Sequence, residues 1–436
     1  MAKHSPRDDN YDQLNINALF ESLFAVSDSA LIDASFDGFV ESRSTDSHQN
    51  DGDFIERAIH LSSVLLEAGK RSARKRSSVH NASVWALTQD LTIKVFSMFD
   101  TQSLFCAAAT CSFFKKCAAD PLCYININLG TLAPKIKPKS KDPNNKDDMV
   151  SKMIQRAGSA LQSIKIGVEP PYIIDDDDDK WGIKRFQQRE ESPFLTASCL
   201  SSLRANGGVP GSRLRSLHLY RITMKDKTAL SDALSASLSV CHSLVELKFV
   251  DIFFDDRHVY ISRILESVSR YCRLLEHFIF EFSGGRPDLV ETSVCKEFVV
   301  NCPKITTLVL QACKLFPSEA FELVKGFNEL KYVDFTNCYS LTGAFLEDLA
   351  TKGGGNSLEV MILRRVYSLD KEVVIKFLNA LLAGKFRQLR HLDISKSGGL
   401  VHTGDDGDLR YGASDIIPSK KLLKQRPNFC LVNKIC

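Results

Sequence analysis

Long apolar runs are missing from this 436-residue chain, and none is long enough to span a bilayer. The opening residues, Met-Ala-Lys-His-Ser-Pro-Arg-Asp-Asp-Asn, are too polar for a secretory signal. The expected compartment is the nucleus, the cytoplasm or both, where thiols stay reduced. A dominant charge is missing too. Lys and Arg number 56 against 53 Asp and Glu, a formal net charge of +3. So small a surplus gives no general pull towards nucleic acid or anionic membrane, and neither is expected as a partner without a local patch. Among 13 cysteines there is no CxxC pair and no Cys/His cluster with finger spacing, so no metal site is expected. Also absent are a Gly-rich phosphate loop, an HExxH motif and a Ser or Cys nucleophile with a placed His. No catalytic residue or cofactor is therefore assigned. A hydrolase or transferase with an illegible site stays as the outlying alternative.

What is present is an ordinary globular balance, 44% hydrophobic and 25% charged, ample for a large core. Residues 1–52 are rich in Ser, Asp and Asn and read as largely disordered, apart from a short amphipathic helix around Leu19-Phe20-Glu-Ser-Leu23-Phe24. Residues 53–83 read as a helix carrying Phe54, Ile55, Ile59, Val64, Leu65 and Leu66, then a basic stretch Lys70 to Arg76. That stretch fits a nuclear-import signal or a solvated linker. Residues 84–130 form a compact helical block. Within it Cys106, Cys111, Cys117 and Cys123 read as small buried hydrophobes. Residues 131–150, charged and rich in Pro and Asn, predict a linker.

From 151 to 436 a repeat takes over. The pattern Leu-x-x-Leu-x-Leu, with other apolar residues admitted, starts at residues 161, 214, 244, 275, 305, 330, 358 and 389. After the first gap the copies begin roughly thirty residues apart, at or just beyond the leucine-rich-repeat range of about 20–29. In an extended segment alternate side chains share a face, so the last two apolar places of each copy point inward together. Between copies the spacing becomes helical: Ile261, Ile264, Leu265 and Val268, or Val374, Phe377, Leu378 and Leu381. Each unit is thus strand, turn, helix, turn, and stacked neighbours share one core. The final segment, with Leu422, Pro427 and Leu431, reads as a helix, a Pro turn and a closing strand.

Cysteines recur in register. Cys241, Cys272 and Cys302 precede the first apolar place by three residues. Cys313 and Cys338 follow it by eight, where other copies carry Ile222, Ile252 and Val366, so the site is buried and structural. The pattern resembles the cysteine-containing subtype of leucine-rich repeat. The one break in rhythm, near 170–192, contains Asp175 to Asp179 and predicts a solvated acidic loop; a divalent-metal site is the weaker alternative.

The block before the repeats carries a second resemblance. Leu87-Thr88-Gln-Asp90-Leu91-Thr-Ile-Lys-Val95-Phe96-Ser-Met-Phe99, then Asp100 to Leu104, Thr110-Cys111-Ser-Phe-Phe114 and Asp120-Pro121-Leu-Cys123-Tyr124 together resemble an F-box. The sequence departs from that pattern at Thr88 for Pro, Phe114 for Trp and Cys123-Tyr124 for Leu-Trp. An F-box followed by leucine-rich repeats is similar to the plant-type substrate receptors of Skp-cullin-F-box ubiquitin ligases. The implied architecture is α/β, a short N-terminal all-α F-box followed by a leucine-rich-repeat solenoid, a curved parallel sheet with outer helices. The implied partners are a Skp-type adaptor, through it a cullin-RING ligase, and a protein target of unknown identity. The implied adaptor-binding residues are Leu87, Asp90, Leu91, Val95, Phe96, Phe99, Leu104, Cys111, Phe114 and Pro121. On residue spacing alone, Leu91, Val95 and Phe99 form one stripe at i, i+4, i+8, which some surface must cover. A repeat scaffold with no ubiquitin role, its helical block a mere cap, is the competing reading.

Targets of such a solenoid are expected on the face where strand residues between the apolar places point outward. Tyr220, Lys248, His277, Tyr332, Asp334, Arg364 and Asp393 are the candidate substrate-binding residues there. Tyr220, Tyr332 and Arg364 are favoured, because Tyr and Arg anchor interfaces.

Overall fold

The computed structural model describes residues 9–43, 50–130, 144–167, 197–224, 234–254, 258–281, 286–366, 368–397, 402–403, 409–410 and 419–432. The chain divides into two compact units, Met1–Trp85 and Ala86–Cys436.

The first unit is helical: α1 (Asp9–Ala25), α2 (Ser29–Arg43) and α3 (Asn50–Val84). Two of these helices stand where composition predicted mostly disorder. Local pattern explains the difference. Ile32, Phe36, Phe39 and Val40 recur at helical spacing, and Asp28 starts α2 by accepting a hydrogen bond from the Ala30 N–H at 2.9 Å. Phe39 meets Phe54 of α3 edge to face, with ring centroids 6.3 Å apart. The basic stretch Lys70 to Arg76 lies exposed inside α3 rather than in a linker. No described helix is long and apolar enough to cross a membrane.

The second unit opens with α4 (Gln89–Phe96), α5 (Thr101–Thr110) and α6 (Ser112–Cys117), then a short 3-10 turn at Pro121–Tyr124. A ten-stranded sheet follows, its members in strict chain order and every pair parallel. The strands are Asn126–Asn128, Ser163–Ile166, Ser216–Tyr220, Glu246–Val250, His277–Glu281, Thr307–Leu310, Tyr332–Asp334, Val360–Ile362, His391–Asp393 and Cys430–Val432. Eight are those the repeat predicted, and Cys430–Val432 is the closing strand after the Pro turn.

Asn126–Asn128 was not foreseen, although the sequence signals it. Tyr124, Ile127 and Leu129 fill the three places of the repeat pattern, and all are buried. The backbone ladder confirms its membership. The carbonyl one residue after the first apolar place accepts from two N–H groups of the next copy, except at Arg390, which takes Cys430 alone. Ile125 takes Gln162 and Ser163, Arg215 takes Val245 and Glu246, and Glu276 takes Thr306 and Thr307. The helical block is therefore fused to the sheet as its first repeat. A side chain ties it further, the Thr101 hydroxyl donating to the Asn128 carbonyl at 2.9 Å.

The expected linker at 131–150 is also corrected. Its end is the start of α7 (Asn144–Ala157), whose Val150, Met153, Ile154 and Ala157 are buried at i, i+3, i+4, i+7. The Lys and Asp residues of its first turns masked that stripe. The acidic run Asp175 to Asp179 lies outside the described residues.

Every described strand exit after the second repeat uses one device. Arg221, Asp251, Ala312, Asn337, Arg365 and Lys396 hold the same repeat place, and all have φ between 51° and 61°. Each turns the chain off the sheet just before the buried eighth place. Where that place holds Cys338 or Ser397, the side chain donates to a carbonyl of the preceding repeat, Leu310 at 3.0 Å or Leu363 at 3.2 Å. The recurrent cysteines are buried, as the register implied, and Cys338 is a small donor inside the core. Burial pushes the thiols of Cys241, Cys302 and Cys338 up to about 12, so they stay protonated and inert. Cys106 is the exception to the buried reading: it is exposed on α5.

Candidate functional site

The F-box-like block is built from four short helical starts, three of them capped by a side chain. Thr88 precedes α4 with φ −63°, the angle a proline ring would impose, so the Thr-for-Pro departure leaves the geometry intact. Asp100 accepts from the Ser103 N–H at 2.8 Å, Cys111 Sγ from the Phe114 N–H at 3.4 Å, and Asp120 from the Leu122 N–H at 2.9 Å. The bonds from Ser103 hold the Asp100 carboxyl below the usual range. Phe96 is the centre of the block. It stacks on Phe99 at 5.2 Å and meets Phe114 edge-on at 5.1 Å. Tyr124 closes the base, its hydroxyl accepting from Arg156 of α7 at 2.9 Å.

This geometry divides the expected adaptor-binding residues. Leu87, Asp90, Leu91, Phe99 and Pro121 are exposed, while Val95 and Phe114 are half-buried. Phe96, Leu104 and Cys111 are buried in the block's own core, so they shape the surface instead of touching a partner. The stripe is corrected as well. α4 ends at Phe96, and Phe99 lies in the following turn, folded back onto Phe96. Sequence reasoning missed Met98, Phe105 and Leu122, which are 76%, 36% and 50% exposed. Leu91 is itself 50% exposed. A turn residue such as Met98 or Leu122 has no helical period to betray it.

The strand face divides the substrate-binding candidates in the same way. Lys248, His277, Tyr332 and Arg364 remain half-buried on that face. Tyr220, Asp334 and Asp393 are buried and are corrected as contact residues. Tyr220 lies beneath two ammonium groups, Lys165 at 5.1 Å and Lys248 at 5.5 Å from its ring centroid. Gly167 is required beside it, because a Cβ there would fall 1.9 Å from the Tyr220 carbonyl oxygen. Asp334 and Asp393 hold equivalent repeat places. Each accepts a backbone N–H two residues on, Thr336 at 2.8 Å and Ser395 at 2.9 Å. Each also takes a donor from the preceding repeat, Gln311 at 2.8 Å and Arg364 at 2.9 Å. Burial raises the Asp334 pKa against those bonds. Arg364 is accordingly committed to Asp393.

One grouping resembles hydrolase machinery. Ser216 Oγ and Glu246 Oε2 both lie 3.1 Å from His218 Nε2. A relay needs the acid on one ring nitrogen and the nucleophile on the other, so two groups sharing Nε2 make a hydrogen-bonded knot, not a triad. The bond from His218 keeps the Glu246 carboxyl below its usual range. Among the described residues no group of His, Cys, Asp and Glu is placed to hold a metal ion.

Fold and site together define a class, a leucine-rich-repeat solenoid headed by an F-box-like helical block. Comparison with known proteins fixes the family. F-box protein At4g02760 of Arabidopsis thaliana is 35% identical over 435 residues, covering 97% of this chain and 78% of that protein. F-box protein SKIP17 of the same plant is 37% identical over 346 residues, covering 79% and 66%. F-box protein At4g02733, also from Arabidopsis thaliana, is 31% identical over 301 residues, covering 65% and 93%. The chain belongs to the F-box protein family. No protein-family model matches it. Among solved structures, the yeast Rad7 and Elc1 complex aligns at 13% identity and a TM-score of 0.41, over 89% of this chain and 98% of that one, too loosely to bear on function.

Proposed function

We propose that this chain is the substrate receptor of a Skp-cullin-F-box ubiquitin ligase. Its helical block docks on a Skp-type adaptor, and its strand face holds the protein to be modified. One observation carries the reading: the block closes its core on Phe96 and still exposes Leu91, Met98, Phe99 and Leu122. Apolar side chains left outside a finished core are what a partner surface requires. In this reading the chain supplies no bond-making chemistry. It holds a target near the activated ubiquitin, which makes transfer effectively intramolecular. The fused first repeat supports that role, because a head built into the sheet fixes the distance between adaptor and target. On the strand face Lys248, His277 and Tyr332 are the contact residues favoured, along with the exposed part of Arg364. Work in the nucleus or cytoplasm belongs to the same reading.

Co-purification with a Skp-type adaptor tests it. Wild type is expected to be retained, and Leu91→Asp combined with Leu122→Asp to be lost while melting like wild type. Phe96→Asp is unsuitable, because a carboxylate in the block's core would unfold it. Failure of the folded wild type to bind adaptor leaves the scaffold reading in its place.

A further inference from the structure

Because all ten strands run parallel, their N-terminal ends lie along one rim of the sheet. The turns leading into them are unusually basic. Arg270, Lys325 and Lys352 have a ready explanation, since cations favour the negative ends of helices. Arg156, Lys385 and Arg426 are also accounted for, because each hydrogen-bonds to a neighbouring segment. Neither account covers Arg213, Arg215, Arg273, Lys304, Lys331, Arg387 and Arg390. These sit in the turns themselves or one residue before a strand, and all are exposed. Among the described residues none of the seven makes an ion pair or side-chain hydrogen bond. In a chain whose net charge is only +3, this rim is the local patch that bulk composition could not reveal.

We infer that this rim binds an acidic segment of a protein partner. From the strand of Arg215 to that of Arg390, at about 4.8 Å per strand, is roughly 30 Å. An extended peptide of about nine residues covers that length. Five of the seven cations are arginines, whose planar forks pair with carboxylates. Nucleic acid fits less well. Glu276, Glu329 and Glu359 stand in the same row. A peptide can set a neutral residue opposite each, whereas a phosphate backbone cannot. The rim also offers no exposed aromatic among the described residues on which a base would stack. The rim cations are distinct residues from the apolar side chains of the helical block, so the two proposals stand or fall apart.

The test titrates a labelled poly-glutamate peptide of about twelve residues onto the full chain. A rim variant replaces Arg213, Arg215, Arg387 and Arg390 by Glu, and a control replaces Lys296 and Lys371 by Glu. The rim variant is expected to bind about tenfold more weakly or worse, the control within about twofold of wild type, and wild-type affinity to fall with salt. Should the Glu variant melt early, the corresponding Gln variant is read instead, with the same direction of effect. Absence of wild-type binding, equal loss in rim and control variants, or tighter binding of a duplex DNA of matched charge would each overturn the proposal.

Discussion

At the residue scale, the Thr88 departure from family pattern is explained by backbone geometry. Thr88 already has the φ of a proline, so Thr88→Pro should stabilise the unit by about 0.4–1 kcal/mol through the unfolded chain alone. Chemical denaturation measures this, and a loss of stability would show that the Thr88 N–H or the Leu87 backbone resists the ring. Asp288 is the residue with a legible pH signature. It accepts from the Ile261 N–H of the preceding repeat at 2.8 Å, and burial raises its carboxyl to about 6. A carboxyl with a raised folded pKa favours the protonated form, so its contribution is most favourable near pH 4 and is lost as pH climbs through about 6. Asp288→Asn keeps an acceptor without the charge. Melting temperatures between pH 4 and 7 should therefore decline less steeply in the variant, and parallel curves would rule this out. The buried aspartates teach the opposite lesson about sequence. Asp334 and Asp393 occupy outward places by strand alternation, yet both are enclosed, because Gln311 and Arg364 reach across from the repeat before. Strand period predicts direction, and the length of a neighbour's side chain decides burial.

At the scale of elements, the repeat was legible because its apolar spacing switches between periods of two and 3.6, and hydrophobic burial forces that switch. Two elements escaped for identifiable reasons. Asn126–Asn128 carries the repeat pattern, but Tyr124 begins it and two Asn residues flank Ile127, so it reads as the tail of the helical block. α7 was hidden by charge at its start, and its Ile154 is fully enclosed. If α7 is the core helix of the first repeat, Ile154→Ala should cost about 2–5 kcal/mol, the range for a large buried aliphatic. A linker residue would cost almost nothing, so a change below about 1 kcal/mol in a denaturant melt would contradict its placement. The candidate site was legible in its motif and not in its surface. Phe96, Leu104 and Cys111 belong to the motif because the block needs a core, and only coordinates separate them from the exposed Leu91 and Phe99.

At the scale of the whole molecule, the Ala86–Cys436 unit is one continuous object. The same two-to-one backbone fork that joins Thr306 and Thr307 to Glu276 joins Gln162 and Ser163 to Ile125. The head is thus held at a fixed place relative to the strand face, which suits a protein that presents one partner to another. Under the proposed function a Skp-type adaptor sits on the helical block. Hydroxyl-radical footprinting of the full chain with and without a Skp-type adaptor addresses it directly. Adaptor-dependent protection of Leu91, Met98, Phe99 and Leu122 is expected, with His277 and Tyr332 unchanged. Protection confined to the strand-face residues, with the four apolar side chains as reactive as in the free chain, would contradict it.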